Sequence, residues 1–353
     1  MRVVLVFWLM IPAGASAQVE ALAVPGHSDA ALVVPASVEP RPVIVALHGN
    51  YDRPEWACES WAQIVDGRAF EVTSLRRDVA TDGRRAVVAF TQDWREDAAR
   101  RDFTLNALYA DTQGHVYDPL EQGLADLDAR RLRFVGDAAA RIAEDYLRIL
   151  RYFRFAAQFG WTLEDAQALA ACRAAAAKIN TLSRERVTQE MMKLLTADDP
   201  SDILEQMRLH DILPEMLAAY QRQPMARLIS RHPLTRMALL SQAEDRLLLS
   251  NEKKRHVQGV RAGAAAFQDD TPRGVKRLVY EQGNAMAFEI YALWCARNEK
   301  EPQAALLDIL QHWQAPVFPV TGEDLIAQGY QPGPELGRKL KELEEEWLAA
   351  LIG

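Results

Sequence analysis

Apolar and polar positions change rhythm about a third of the way along the chain. Before that point the apolar residues come in short runs of strand type. These are Val3 to Met10, Pro42-Val43-Ile44-Val45-Ala46-Leu47, the alternating Glu71-Val72-Thr73, and Ala86-Val87-Val88-Ala89-Phe90, with Asp82-Gly83 as a turn before the last. From Asp126 onward the period is helical. Leu147, Leu150, Phe153 and Ala157 share one face, and Glu164 to Lys178 is an alanine-rich helix. Ser183 caps a helix whose third position is Arg186, and Asp198-Asp199-Pro200-Ser201 breaks the chain before the next. Ala226 to Trp313 keeps helical periodicity without a motif that carries chemistry, and His210-Asp211 reads as a helix end. Thr321 caps a helix opened by Glu323 and Asp324 and ended by Gly329, and a last helix presents Leu336, Leu340, Leu343, Trp347 and Leu351 for packing on the body. Strands first and helices afterwards predict an α+β fold.

The 353 residues suggest about two to four domains. A formal net charge of -8 excludes a uniformly basic nucleic-acid coat, so any RNA contact has to come from a local cluster of cations. Cys58, Cys172 and Cys295 lack metal-ligand spacing and read as free thiols. Met1 to Gln18 reads as a secretion leader, with Arg2, a short apolar run and Ala15-Ser16-Ala17 as a cleavage site; a buried first strand is the rival reading. The strand ending in His48-Gly49-Asn50 resembles the start of an α/β-hydrolase. That fold needs a G-x-S-x-G elbow downstream, and the chain has none, so His48 is read as a turn residue.

Between Glu71 and Trp161 every cation is an arginine, the planar fork that grips phosphates and base edges two bonds at a time. Arg100-Arg101-Asp102-Phe103-Thr104-Leu105-Asn106 reads as a helix entrance, with Asp102 as a cap or ribose acceptor. Further on, Arg148, Arg151 and Arg154 recur every third residue, a stripe that suits an anion lying along it. Glu144 is one helical turn before Arg148 and can orient it, and Asp145 sets an acceptor beside that donor. A carboxylate next to a guanidinium complements the Watson–Crick edge of cytosine or adenine, each with an exocyclic amine beside a ring acceptor. Uracil and guanine put a carbonyl there and leave the carboxylate unpaired, at about 1–3 kcal/mol.

These residues sit inside a series of words: EVTSLRRDV from Glu71, RRDFTLNAL, VYDPLEQGLADL from Val116, RLRFVGD from Arg131, AEDYLRILRYFRFAAQFGW, LSRERVTQEMMKLL from Leu182, ILPEML from Ile212, and PVTGEDLIAQGYQPGPELGRKLKELEEEWLA from Pro319. In that order they resemble the bacterial tRNA CCA-adding nucleotidyltransferases and their poly(A) polymerase relatives. The resemblance implies a truncated mixed-sheet head over residues 71–125, a nucleotide-binding helical neck over 126–185, a helical body over 186–310 and a tRNA-binding tail over 311–353. They would follow a leader over 1–17 and a hydrolase-like fragment over 18–70. It further implies CTP and ATP as substrates, tRNA as partner, magnesium as the metal and the cytoplasm as the place of work, against the leader. Arg100, Arg101, Asp102, Asn106, Glu144, Asp145, Arg148, Arg151 and Arg154 would hold the nucleotide, with Glu71 as a candidate catalytic carboxylate. Gly333, Gly337, Arg338 and Lys339 would meet RNA, because a glycine-rich hairpin opening a helix aims backbone amides at a phosphate.

One family feature is missing from this sequence. Before the arginine motif the family carries a Gly-Gly turn and then a D-x-D on a strand; the chain has no Gly-Gly pair, and its only D-x-D is Asp126-Leu127-Asp128, read as a solvated helix turn. Three readings follow: a family member with nucleotide and tRNA sites but little turnover, a non-catalytic RNA-binding or chimeric product, and a secreted hydrolase whose serine elbow is absent.

Overall fold

The computed structural model describes residues 17–22, 30–35, 75–81, 86–110, 115–240 and 243–352. The apolar run after Arg2, the run Pro42 to Leu47, His48, Cys58, Glu71 and the Asp82-Gly83 turn lie outside the described residues. The chain divides into two compact units, residues 1–144 and 145–353.

In the first unit the described strands pair antiparallel: β1 (Ala17–Leu22) with β2 (Ala30–Pro35), β3 (Arg76–Thr81) with β4 (Ala86–Phe90), and β5 (Tyr109–Ala110) with β6 (Val116–Tyr117). α1 (Trp94–Ala99) starts at Asp93, whose carboxylate accepts the Arg95 N–H at 2.7 Å. The expected helix entrance at Arg100 is instead a helix exit. Arg100 is the C-cap of α1, the chain then extends through Phe103, and only a single 3-10 turn, Thr104–Ala107, follows. The reason lies in a partner far along the chain. Thr104 N–H donates to the Arg133 carbonyl and Val135 N–H to that of Asp102, both at 3.0 Å, and the buried rings of Phe103 and Phe134 sit 4.9 Å apart. Extended pairing that buries two phenylalanines outweighs the modest preference of these residues for a helix.

α2 (Gly123–Asp128) closes on the same turn. A Cβ at Gly123 would stand 2.6 Å from the Thr104 carbonyl oxygen, so only glycine fits there. One turn later Asp126, expected on a solvated surface, is buried. It accepts from the Thr104 hydroxyl at 2.8 Å and faces Arg133 at 3.1 Å, and an apolar wall on that side would strand those donors. α3 (Ala138–Glu144), started by Asp137, ends this unit.

The described residues of the second unit form helices joined by turns and loops, with no strand among them. α4 (Leu147–Phe159) packs on α6 (Arg184–Leu195) around Tyr152, Phe153, Met191 and Leu194, with α5 (Ala166–Ala175) between them in sequence and α7 (Ser201–Leu209) also against α4. Ser183 caps α6 as its sequence predicts, and α7 begins after Pro200 and ends at His210, where Asp211 turns with a φ of 56°. Then come α8 (Arg222–Arg227), α9 (Pro233–Met237) and α10 (Ala243–Arg246). Buried Arg236 on α9 gives its guanidinium to the carbonyls of Leu195 (2.7 Å), Asp198 (2.8 Å), Ser230 (3.2 Å) and Ala197, satisfying the orphan oxygens at the end of α6. α11 (Asn251–Ala266), α12 (Pro272–Gln282) and α14 (Ala304–His312) pack on α13 (Asn284–Arg297), which is buried continuously from Ile290 to Ala296.

α15 (Gly322–Ala327) carries the full capping box of Thr321 and Asp324. The last helix, α16 (Pro334–Ile352), lies on α12 through Arg277–Glu345 at 2.6 Å, Tyr280–Glu344 at 2.5 Å and the ring of Trp347 near Tyr280 and Phe318. Its inward residues near the end are Leu348 and Ile352, while Leu351, expected to pack, is 42% exposed.

Candidate nucleotide-binding site

In the first unit the two motif arginines are organised by a residue their own word does not include. Asp97, on α1, has no exposed surface. One carboxylate oxygen takes Arg100 Nε (2.9 Å) and Nη2 (2.5 Å); the other takes Arg101 Nε (3.1 Å) and Nη2 (2.8 Å) and the Tyr109 hydroxyl (2.7 Å). Burial opposes the charge on Arg101, but Asp97 more than restores it, so its pKa stands above the ordinary arginine value. The Tyr109 hydroxyl is pushed up by burial and by Asp97, and it stays protonated. Both guanidinium forks are thereby fixed side by side and partly exposed, at 16% and 21%. Asp102 is buried and tied locally: one oxygen accepts from its neighbour Phe103 N–H at 3.0 Å and from Asn106 Nδ2 at 2.8 Å, so it holds the turn in the manner of a cap.

Glu144 closes α3 and accepts from Arg141 Nη1 at 3.0 Å. Asp145 is not helical and α4 starts at Leu147, so Glu144 and Arg148 are not spaced by one turn of a continuous helix as the sequence suggested. The break has a local cause. Asp145 Oδ1 accepts the Leu147 N–H at 3.0 Å and its carbonyl accepts the Arg148 N–H at 3.0 Å, a side-chain turn that competes with helix continuation.

In the second unit Asp145 Oδ2 accepts from Arg186 Nη2 at 2.7 Å. A carboxylate gripped on both oxygens cannot rotate, and Arg148 follows within the same turn. Arg148 and Arg151 are half-buried, and Arg151 lies over the Phe155 ring at 5.3 Å. Arg154 departs from the stripe it was grouped with. It is buried at 7% exposure, pairs with Glu190 at 2.5 Å and Gln158 at 2.7 Å, and stacks 3.9 Å over Phe155. Helical drift explains this: six residues past Arg148, Arg154 has rotated toward α6, where Glu190 waits. Arg154 therefore fastens α4 to α6.

Arg186, read from the sequence only as a helix position, and Glu190 and Asp97, absent from the expected site, are the side chains that hold these arginines and Asp145 in place. The signal was present as spacing. Arg186 and Glu190 are four apart on one face of α6, and Asp97 is three and four residues before the two arginines it holds.

At the tail, Gly333 has a φ of 155°, and the Gly337 N–H is committed to the Gly333 carbonyl at 3.3 Å, so this amide does not turn outward. Arg338 is exposed, and Lys339 pairs with Glu342 at 3.3 Å.

Among the described residues, no three His, Cys, Asp or Glu side chains are grouped so as to hold a metal ion. The buried carboxylates Asp97, Asp102 and Asp126 are each engaged by protein donors, and their oxygens do not fit magnesium, which keeps an octahedron of oxygens and several waters.

Residues 46–133 match the Poly A polymerase head domain family, residues 165–220 the family described as probable RNA and SrmB-binding site of polymerase A, and residues 241–352 the family of tRNA nucleotidyltransferase domain 2. The mitochondrial CCA tRNA nucleotidyltransferase 1 of Danio rerio is 36% identical over an alignment of 306 residues that covers 79% of this chain and 69% of that protein. The CCA-adding enzyme of Levilactobacillus brevis is 32% identical over an alignment of 311 residues that covers 79% of this chain and 75% of that protein. The solved Bacillus stearothermophilus CCA-adding enzyme in complex with CTP shares the fold at a TM-score of 0.57 and 22% identity, over 81% of this chain and 74% of the other.

Proposed function

The chain belongs to the CCA-adding tRNA nucleotidyltransferase and poly(A) polymerase family, and we propose that it binds CTP, ATP and tRNA 3′ ends with little transfer of nucleotide. The observation that carries the nucleotide reading is Asp145, held by Arg186 and by the start of α4 beside Arg148. A fixed acceptor next to a guanidinium selects the amine-and-acceptor edge of cytosine and adenine, because the wrong base leaves buried polar groups unpaired. Arg151 is the cation of the second unit assigned to the triphosphate, and Arg100 and Arg101, anchored on Asp97, are assigned as phosphate-binding forks of the first unit on their own account.

The purified chain is expected to bind CTP and ATP in preference to UTP and GTP. Arg148→Ala erases the preference, and Arg186→Met weakens it by loosening Asp145 while leaving overall triphosphate affinity nearly intact. Calorimetric titration with the four nucleotides checks this, and equal binding of all four by the parent chain sinks it.

Magnesium is the ion that the family's chemistry requires, to set a primer hydroxyl against the α-phosphate. The described carboxylates do not fit it, and Glu71 alone would be one ligand where several are needed. No transfer step is therefore assigned to these residues.

We assign the tail to tRNA on the strength of exposed Arg338 at the start of α16. Arg338→Gln should weaken tRNA binding and lower the slope of log affinity against log salt by about one. An unchanged slope in a salt series removes Arg338 from the interface.

The proposed place of work is the cytoplasm, where tRNA and nucleoside triphosphates are held. Among the described residues no helix is long and apolar enough to cross a membrane. A reporter fused after Gln18 should remain inside the cell; bulk export would defeat the assignment.

A further inference from the structure

Four side chains of the helical unit that have no part in the nucleotide reading meet where α9, α11 and α13 come together. His232 is the residue before Pro233 at the entry to α9, and its ring centre lies 4.8 Å from that of His256 on α11, with the planes tilted by 45°. Buried Ser230 ties this entry to α13: its hydroxyl donates to the Glu289 carboxylate and accepts the His232 N–H at 3.1 Å. His256 Nε2 is buried and has no hydrogen-bond partner among the described residues.

The charged groups around this pair are engaged or turned to water. Arg236, one turn into α9, gives its guanidinium to backbone carbonyls that include that of Ser230, and Arg231 pairs with Asp198 at 2.8 Å. Glu252 and Lys253, one turn before His256 on α11, are exposed. From α13 the carboxylate that acts on His256 is Glu289, and Ser230 already holds it. Two neutral rings suit such a place. An imidazolium donates from both ring nitrogens, so a proton on His256 sets a buried N–H where no acceptor stands and a positive ring against a second imidazole. Turning Glu289 to that charge competes with the Ser230 hydroxyl, which fixes the start of α9. Burial, and after it the neighbouring His232, hold the His256 pKa below its ordinary value of 6.5, against the smaller opposing pull of Glu289.

We propose that His232, His256 and Glu289 form an acid-sensitive joint of α9, α11 and α13, closed while the two imidazoles are neutral and loosened when His256 takes a proton. The unfolded chain binds that proton at the ordinary histidine pKa and the folded chain only at a lower one. The stabilisation is therefore whole above about pH 6.5 and is lost as the pH falls from there to the folded value.

The test uses the full chain at constant ionic strength. Amide hydrogen exchange in residues 233–240 and 251–266, corrected for the intrinsic pH dependence of exchange, should quicken several-fold between about pH 7.5 and about pH 5.5, a window above the ordinary range of carboxylates. His256→Phe, which keeps a ring and cannot charge, should abolish the change. His312→Gln, at an exposed histidine of α14, should keep it. Glu289→Gln, whose amide oxygen still accepts from Ser230, removes the opposing pull and should enlarge it. Titration of the His256 ring protons by NMR reads the joint in the parent without any variant, and its midpoint is expected below the ordinary histidine value. Exchange that does not change between the two pH values, an equal change in His256→Phe, or a ring midpoint at or above the ordinary value overturns the joint. None of these readouts involves nucleotide or RNA, so the fate of the nucleotide reading does not decide them.

Discussion

Given tRNA that lacks its terminal CCA, with labelled CTP and ATP, the purified chain is expected to incorporate CMP and AMP several powers of ten more slowly than a CCA-adding relative assayed beside it. Phosphoryl transfer asks little covalent chemistry of a protein; it depends on in-line positioning and on neutralising charge at both the attacking and the leaving oxygen. Arg151 in the second unit, and Arg100 and Arg101 in the first, are cations of the kind that neutralises a triphosphate. Nothing equivalent is described for the primer hydroxyl. Asp97 is saturated by two guanidinium groups and a tyrosine hydroxyl, Asp102 by Phe103 N–H and Asn106, and Asp126 by Thr104 and Arg133. Withdrawing them from those partners would leave partly buried guanidinium groups, or buried N–H and hydroxyl donors, without their acceptors, so they are not a reserve of ligands. The sequence has no Gly-Gly turn and no D-x-D ahead of the arginine motif. Losing several kcal/mol of transition-state stabilisation corresponds to about three or more powers of ten in rate. Incorporation within about tenfold of the relative would refute this, and would place metal-binding carboxylates among Asp52, Asp66 and Glu71, outside the described residues.

Much of the helical half was legible because its signals are local. Ser183, Thr321 with Asp324, Pro200 and the apolar face of Leu147, Leu150 and Phe153 each specify a boundary or a buried side within a few residues, and each is found in that role. The arginine motif was misread as a helix because its conformation is decided by Phe134 and Arg133, about thirty residues away, which no periodicity in a short window reports. The placement of Arg154 failed for a related reason. A spacing of three keeps arginines near one another for one step, and by the second the drift has carried the side chain into the contact with α6. Asp126 looked solvated since acidic residues in a short helix usually are, and only the close approach allowed by Gly123 puts it under Thr104. The site was thus legible in its residue types and obscured in their duties, because duty depends on which donor and which acceptor face each other across elements.

Asp97 offers the sharpest test of that point, through a loss of stability larger than any surface charge would give. Asp97→Ala should destabilise the first unit by about 3–5 kcal/mol, the range for removing one partner from a buried charge cluster. The chain of cause runs through what is left behind. Arg100 and Arg101 keep their charges, four N–H donors lose their acceptor, and the buried Tyr109 hydroxyl loses its own, so desolvation already incurred is no longer offset. Tyr109, which donates to this carboxylate, belongs to the buried cluster of Ala98, Ala107 and Val135 with Trp94 packed against it, so its hydroxyl has little access to a replacement acceptor. Asp97→Asn should cost less, since one amide oxygen still accepts from one arginine. The triple variant Asp97→Ala, Arg100→Met, Arg101→Met should recover much of the loss, because removing all the charges is milder than stranding two of them. Urea unfolding of the four proteins, read as shifts in midpoint at constant m, measures the order. Exposed pairs such as Arg95–Glu121 give the baseline, at about 0–1 kcal/mol for the whole interaction. A loss for Asp97→Ala no greater than that baseline, or a triple variant less stable than the single, would show that Asp97 is an ordinary paired carboxylate and that the two forks are positioned by something else.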